Sequence, residues 1–425
     1  MGVTKKIITS IFFLFAFMVY PSINTAVSAE SYSYPNLTAE AAVLMDAKTG
    51  QVLFEKNMNE QKYPASITKI MTGMLALEKG NLTDIITMSN EAVFSIGRNT
   101  SHIALNVEEE LTLEQALYAI SMESANDAAN GIAEYISGNL ESFAELMNKK
   151  AIESGAMNTN FVNAHGLPDP NQYTTAYDMA KIMMEAIKTP GFQEIFSKLR
   201  YEMPPTNKQS ETRYFHSRNS LLNSKYEGII AIKSGWTTQA SHTLVTAARR
   251  GNRELIAVVM DNQSSNCNNE DTIKLLDYGF HDFLDVLIDA ADLETTTPEP
   301  SFINYENLNG RPGGIIVRLI HKSLTIDDLV KSYEVLESNS NEAVKVKLLL
   351  NLKQPNNFMY NSLGHLILEA ETSKDDIQYA NVDLKSTKGF FMFALGLLCL
   401  FIILVFKKKR SNRKRKMYLY RKYRR

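Results

Sequence analysis

The 425-residue chain has a formal net charge of −2 and only two cysteines. The near-neutral total hides a partition: residues 1–29 hold two basic side chains and residues 407–425 hold twelve, which leaves 31 basic against 47 acidic residues between them, a net charge of about −16. An acidic body of that kind excludes nucleic acid as its partner, because phosphate binding needs clustered Lys and Arg.

In chain order, Lys5-Lys6 precede an apolar run from Ile7 to Tyr20, then Pro21 and small residues ending Val27-Ser28-Ala29. That order predicts a secretory signal over residues 1–29, and the run is short for a span of ~20 residues, so the mature chain is expected to begin near Glu30. Ala41–Asp46 and Gln51–Glu55, joined by Lys48-Thr49-Gly50, predict a β-hairpin. Pro64-Ala65-Ser66 opens a segment in which Ile67, Ile70, Met71, Met74, Leu75 and Leu77 recur at helical spacing, and Gly80 stops it. Helical spacing also covers Leu113–Ile136, Leu140–Ser154 and Ala176–Ile187. Strands are predicted at Gly228–Lys233, Thr243–Ala248 and Glu254–Met260, the last two joined by an Arg250-Gly251-Asn252 turn.

Helices set between terminal strands, with adjacent strands joined by short turns, imply an α/β domain with a mostly antiparallel sheet over residues 30–283. Cys267 sits in a predicted polar loop, Ser264–Asn269, and reads as an unremarkable loop or packing cysteine. Residues 284–385 turn loop- and strand-rich, with an alternating stretch at Ala343–Leu350, and are expected to form a small β-rich domain that serves as a spacer or interaction module. Gly389–Phe406 is an uncharged apolar run long enough for one transmembrane helix, and the basic tail at 407–425 belongs on the cytoplasmic side. The bulk of the protein is then expected outside a cell membrane, with the tail free to grip anionic headgroups. Cys399 lies within that run, so Cys267 has no exported partner for a disulfide and stability rests on a packed core.

Ser66-Ile67-Thr68-Lys69 places a hydroxyl and an amine three apart at a helix start, a nucleophile beside a base. Alone the pattern is poor, since a chain of this length yields about two such matches by chance and Ser411–Lys414 is another. Ser124-Ala125-Asn126 follows in the helical part, and Lys233-Ser234-Gly235 at the end of a strand, where Gly235 lets a ligand backbone approach the strand edge. Lys48-Thr49-Gly50 is a decoy of the third pattern in a hairpin turn.

Those three patterns, in that order, resemble the motifs of penicillin-binding proteins and serine β-lactamases. The longer stretches Pro64–Thr72, Asn163-Ala164-His165-Gly166-Leu167-Pro168 and Lys233-Ser234-Gly235-Trp236-Thr237 resemble the low-molecular-mass D-alanyl-D-alanine carboxypeptidases in particular, over about residues 40–283. The β-rich segment beyond is similar to that family's C-terminal domain. Two positions depart from the family's usual pattern, Ala125 where Gly is commoner and Ser234 where Thr is. A spanning segment, where many relatives carry an amphipathic helix, is a third departure.

Ser66 needs a base, and Lys69 can serve only with a depressed pKa, towards which a nearby Lys233 would push it. The resemblance implies that Ser124 relays the proton to the leaving D-alanine and that Asn126 holds the peptide. Backbone N–H groups of Ser66 and Trp236 are the expected oxyanion donors. The substrate's free carboxylate is expected to meet Lys233, Ser234, Thr237 and Arg218, although an exposed salt-bridging arginine is the alternative at 218. His165 is read as a structural loop histidine and not, with Asp178, as part of a triad. No cofactor is implied, nor a metal, for the seven histidines form no H-x-x-x-H pair.

The implied activity is removal of the terminal D-alanine from peptidoglycan stem peptides, with β-lactam antibiotics as covalent inhibitors. A serine β-lactamase and a catalytically idle wall-binding protein are the alternatives. The first would need a deacylating glutamate, and no Glu-x-x-Leu-Asn segment lies between Ser124 and Lys233; the second does not need Ser66, Lys69, Ser124 and Lys233 together.

Overall fold

A computed structural model describes residues 34–370, apart from 225, 291, 298–314, 337–343 and 355–359. The hairpin forms as β1 (Ala41–Asp46) and β2 (Val52–Lys56), with Gly50 at φ +72° in its turn. A single 3₁₀ turn, Ala65–Thr68, then leads into α1 (Lys69–Lys79). Short strands β3 (Ile85–Thr87) and β4 (Glu110–Thr112) pair around α2 (Asn90–Phe94).

The helix predicted over Leu113–Ile136 is broken. After α3 (Leu113–Tyr118), which opens on a Thr112/Gln115 capping box, the chain widens into a π turn at Ala119–Glu123 and passes through Ser124 at φ 58°. Only then does α4 (Asn126–Ser137) begin. Left-handed backbone at a non-glycine costs roughly 1–3 kcal/mol and persists where surrounding structure imposes it. Apolar periodicity runs through both helices, so the spacing alone does not register the break.

Helices α5 (Leu140–Glu153), α6 (Ala176–Ala186) and α7 (Phe192–Phe196) follow, then the hairpin β5 (Arg200–Met203) and β6 (Arg213–His216) and the short α8 (Ser220–Asn223). The principal strands are longer than predicted: β7 (Ile229–Thr237), β8 (Ser241–Arg250) and β9 (Arg253–Asn262), followed by α9 (Ser265–His281). Ser264–Asn269 is therefore not a loop but the cap and first turn of α9, with Ser264 Oγ accepting from Cys267 N–H at 3.1 Å. Polar residues that favour a helix N-terminus are the same ones that favour loops, which explains the misreading.

Strands pair in the order β2-β1-β9-β8-β7, antiparallel throughout. The β1–β9 ladder, from Ala41 opposite Met260 to Asp46 opposite Leu255, closes the sheet across some two hundred residues of intervening helices. Strand alternation gives each face its own core. Val43, Met45, Val245, Ile256 and Val258 pack with residues of α1, α4 and α6, whereas Leu44, Leu244, Leu255, Ala257 and Val259 pack with Leu275 and Leu276 of α9.

The C-terminal residues are strand-rich as expected: β10 (Phe283–Asp289) pairs with β11 (Ile315–His321), and β12 (Leu329–Leu336), β13 (Val344–Leu352) and β14 (Ser362–Ala370) form a second antiparallel sheet. Ile288, Ile316, Leu319, Leu348 and Leu350 join the same buried cluster as α9. Buried Gln51, beside β2, donates to Leu319 C=O at 2.7 Å and accepts from Leu319 N–H at 3.0 Å, so one side chain satisfies both backbone groups of a β11 residue. Among the described residues no helix is long and apolar enough to cross a membrane. The predicted signal (1–29), span (389–406) and tail (407–425) lie outside those residues.

Candidate active site

The 3₁₀ turn sets Lys69 Nζ 3.2 Å from Ser66 Oγ. The same nitrogen donates to Asn126 Oδ1 and to His165 C=O, each at 2.7 Å. A neutral amine has two N–H bonds and one lone pair. Loss of one proton would keep the bonds to Asn126 and His165 and free a lone pair towards the Ser66 hydroxyl. Lys69 is completely buried, and that burial first, then the charge of Lys233, drives its pKa well below the ordinary lysine value against a smaller opposing pull from Asp127.

Close packing holds the nucleophile turn. Ala65 sits at φ 50°, and its carbonyl accepts from Thr68 Oγ1 at 2.9 Å. Gly166, at φ +89°, presses on this carbonyl so tightly that a Cβ would lie 1.8 Å from it, and a Cβ on Gly235 would lie 2.6 Å from Ser66 N. Two glycines therefore let a loop and a strand close on the turn from either side. Thr243 Oγ1 adds a bond to Pro64 C=O at 3.0 Å, and Thr72 Oγ1 one to Ala164 C=O at 2.6 Å.

Ser124 Oγ, half-buried at the break before α4, lies 3.2 Å from Lys233 Nζ, which also donates to Ser234 C=O at 2.8 Å. Burial, then the charge of Arg218, lowers the Lys233 pKa to about 7. Asn126 is buried behind Lys69, and its N–H donates to Ser101 C=O at 2.9 Å. Asp127 accepts from Leu105 N–H at 3.1 Å and Ile103 N–H at 3.2 Å, which ties the 101–105 loop to α4. The His165 ring is buried and kept neutral by desolvation, then by Lys69, with a pKa lowered to about 3. It accepts from Leu167 N–H, while Asp178 binds Asn158 N–H and Thr159 Oγ1, so the two form no triad with Ser66.

An open cleft of about 260 Å³ is lined by Ser66, Ser124, Arg218, Lys233, Ser234, Gly235 and Trp236, while Lys69 and Asn126 lie behind it. Strand β7 is the outermost of its sheet among the described residues, so its edge is available to an extended ligand. Thr237 is not among the lining residues; its Oγ1 accepts from Ala240 N–H in the β7–β8 turn at 3.0 Å. Arg218 lines the cleft and is also the salt-bridging arginine of the alternative reading, paired with Glu123. Sequence reasoning missed Glu123, Ser101 and Thr243. Glu123 adjoins the S-x-N pattern, but only the break at Ser124 turns it to the cleft.

A family model described as D-alanyl-D-alanine carboxypeptidase matches residues 27–264. The chain belongs to the D-alanyl-D-alanine carboxypeptidase family. It is 36% identical over 250 residues to D-alanyl-D-alanine carboxypeptidase DacF of Bacillus subtilis, an alignment covering 58% of this chain and 63% of that one. With DacA of Haemophilus influenzae it shares 36% identity over 289 residues, 65% of this chain and 70% of the relative. Thus it spans slightly under two thirds of the first relative's length and slightly over two thirds of the second's. Penicillin binding protein 5 from Haemophilus influenzae superposes with a TM-score of 0.61 at 28% identity, covering 80% of this chain and 99% of that structure. The cluster pairs a serine hydroxyl with a buried amine of lowered pKa and a second serine with a second lysine, beside the outermost strand of the sheet.

Proposed function

We propose that the protein is a serine D-alanyl-D-alanine carboxypeptidase of the low-molecular-mass penicillin-binding class, acting through an acyl-enzyme on Ser66. The observation that carries this reading is the buried Lys69 amine, held by Asn126 and His165 at 3.2 Å from the Ser66 hydroxyl. Lys69 takes the Ser66 proton as Oγ attacks the penultimate carbonyl of a stem peptide ending in D-Ala-D-Ala. The proton passes by way of Ser124 to the nitrogen of the departing D-alanine, and Lys233 steadies Ser124. Water then attacks the ester, with Lys69 again the base, and restores Ser66. Backbone N–H groups of Ser66 and Trp236 receive the oxyanion, and Lys233, Ser234 and Arg218 meet the terminal carboxylate. Asn126 supports the reaction by accepting a Lys69 hydrogen.

The decisive experiment is to supply a synthetic peptide ending in D-Ala-D-Ala and measure free D-alanine, and to map a penicillin adduct by mass spectrometry. Release of D-alanine and an adduct on the Ser66 peptide are expected; an adduct elsewhere refutes the assignment. Deacylation of the penicilloyl-enzyme is the expected slow step, since the opened ring stays tethered and no dedicated glutamate serves the water. Rapid penicillin turnover without D-alanine release would favour a β-lactamase.

The composition of the ends supports a cleaved signal over 1–29, a catalytic domain over 30–283, a β-rich companion over 284–385, one span over 389–406 and a cytoplasmic tail. The enzyme then works on the outer side of the cell membrane. Protease added to intact protoplasts should remove the catalytic part and spare a C-terminal tag; loss of the tag while cytosolic markers stay whole refutes this orientation.

A further inference from the structure

The cleft holds an ion pair that the proposed reaction leaves unexplained. Arg218 Nη2 lies 2.5 Å from Glu123 Oε2, with the arginine side chain 70% exposed and the glutamate 15%. Both line the cleft, from segments far apart in sequence: Glu123 ends the π turn immediately before Ser124, and Arg218 belongs to the segment between β6 and α8. Glu123 is the better anchored partner. Its second oxygen accepts from His216 N–H at 3.4 Å, so the carboxylate bridges the π turn to the 216–218 segment.

The other cations of the site differ. Lys69 and Lys233 are buried and bonded internally, while Lys198 also lines the cleft but offers a point charge and not a planar fork. Arg218 is thus the group best shaped to read a carboxylate in two bonds, and in the free enzyme a carboxylate is already on it.

We propose that Glu123 is a specificity-determining residue that holds Arg218 until the free carboxylate of the substrate's terminal D-alanine replaces it, so that the guanidinium exchanges one carboxylate for another. The proposal rests on the reading above that the ligand ends in a free carboxylate. Every anionic ligand must then displace Glu123, whereas a ligand without that charge leaves the pair intact. Glu123 also keeps the arginine at the cleft mouth between substrates. For a largely exposed pair the displacement corresponds to a factor of up to about five in an equilibrium constant.

Glu123→Gln preserves side-chain size and an acceptor for His216 N–H while removing the charge. Trp236 is the only tryptophan in the chain and lines the same cleft, 60% exposed, so its fluorescence can follow binding without turnover. Full-length protein in detergent is titrated with N-acetyl-D-alanine, and with N-acetyl-D-alaninamide as the uncharged counterpart, with calorimetry as a second measurement. Glu123→Gln should bind the acid roughly three- to fivefold more tightly and the amide no differently. In an Arg218→Ala background the gain should vanish. Unchanged or weaker acid binding by Glu123→Gln overturns the exchange, as does an equal gain for the amide, a gain that survives Arg218→Ala, or no detectable binding of the acid to either protein. Release of D-alanine from peptide, measured on the same preparations, tests the reaction separately: its absence would remove the proposed activity without touching the binding result.

Discussion

Two regions of one cleft treat positive charge in opposite ways. Lys69 is sealed behind Ser66 and bonded to Asn126 and His165, and there burial drives a lysine's pKa well below its ordinary value. Arg218, at the mouth, is largely exposed and paired with Glu123. Lys233 stands between them: buried, with a pKa near 7, it pushes the Lys69 pKa down and is itself pushed down by the charge of Arg218. Desolvation, more than neighbouring charge, sets the lowered pKa of both lysines.

The sharpest way to break that contrast is Lys69→Met, which removes the base and keeps the bulk. Penicillin acylation of Ser66 should fall by about 10³-fold or more, the scale of a lost general base, with the thermal transition retained. A loss under tenfold would mean another group takes the proton. Gly235→Ala probes the packing around the same hydroxyl, since its Cβ would meet Ser66 N at 2.6 Å. A displaced nucleophile should cost about 10²-fold in acylation, read by stopped-flow, and an unimpaired variant would show that the turn has slack.

pH separates the two regions next. The lowered Lys69 pKa means that its neutral form persists far below the ordinary lysine range, and acid restores the proton and removes the base. Acylation should fall by about tenfold per pH unit on the acid limb, and Lys69→Met should lack that limb. Lys233 makes a linked statement about stability. Its folded pKa of about 7 lies below the unfolded lysine value, so the unfolded chain binds more protons between the two and stability should rise with pH from about 7 to about 10. Denaturant titrations of Lys233→Met should show a shallower rise.

The smallest effect lies farthest from the chemistry. Gln51→Ala leaves the N–H and C=O of Leu319 without their partner in a buried setting, worth about 2 kcal/mol of stability. Acylation by the folded enzyme should be unchanged. A drop in the acylation rate would instead tie the C-terminal strands to the site.

Much of this was legible from local pattern. The first hairpin, the helical run after Ser66, the alternating β13 and the three spaced motifs all arise from side-chain periodicities of 2 and 3.6, which neighbouring residues set among themselves. The i, i+3 spacing already put the Ser66 hydroxyl beside the Lys69 amine. What needed the tertiary structure was everything set by residues far apart. The β1–β9 ladder closes the sheet around the helices, and the left-handed Ser124 turns what reads as one helix into a catalytic corner. Polar residues read as a loop become the cap of α9. Thr237 serves a turn, and Asn126 faces Lys69. The sequence by itself determined which functional groups the protein owns and their local spacing. Only the fold decided which are dry, which are paired and what each faces, because desolvation and hydrogen-bond partnership depend on chain segments brought together from 57 to more than a hundred residues away.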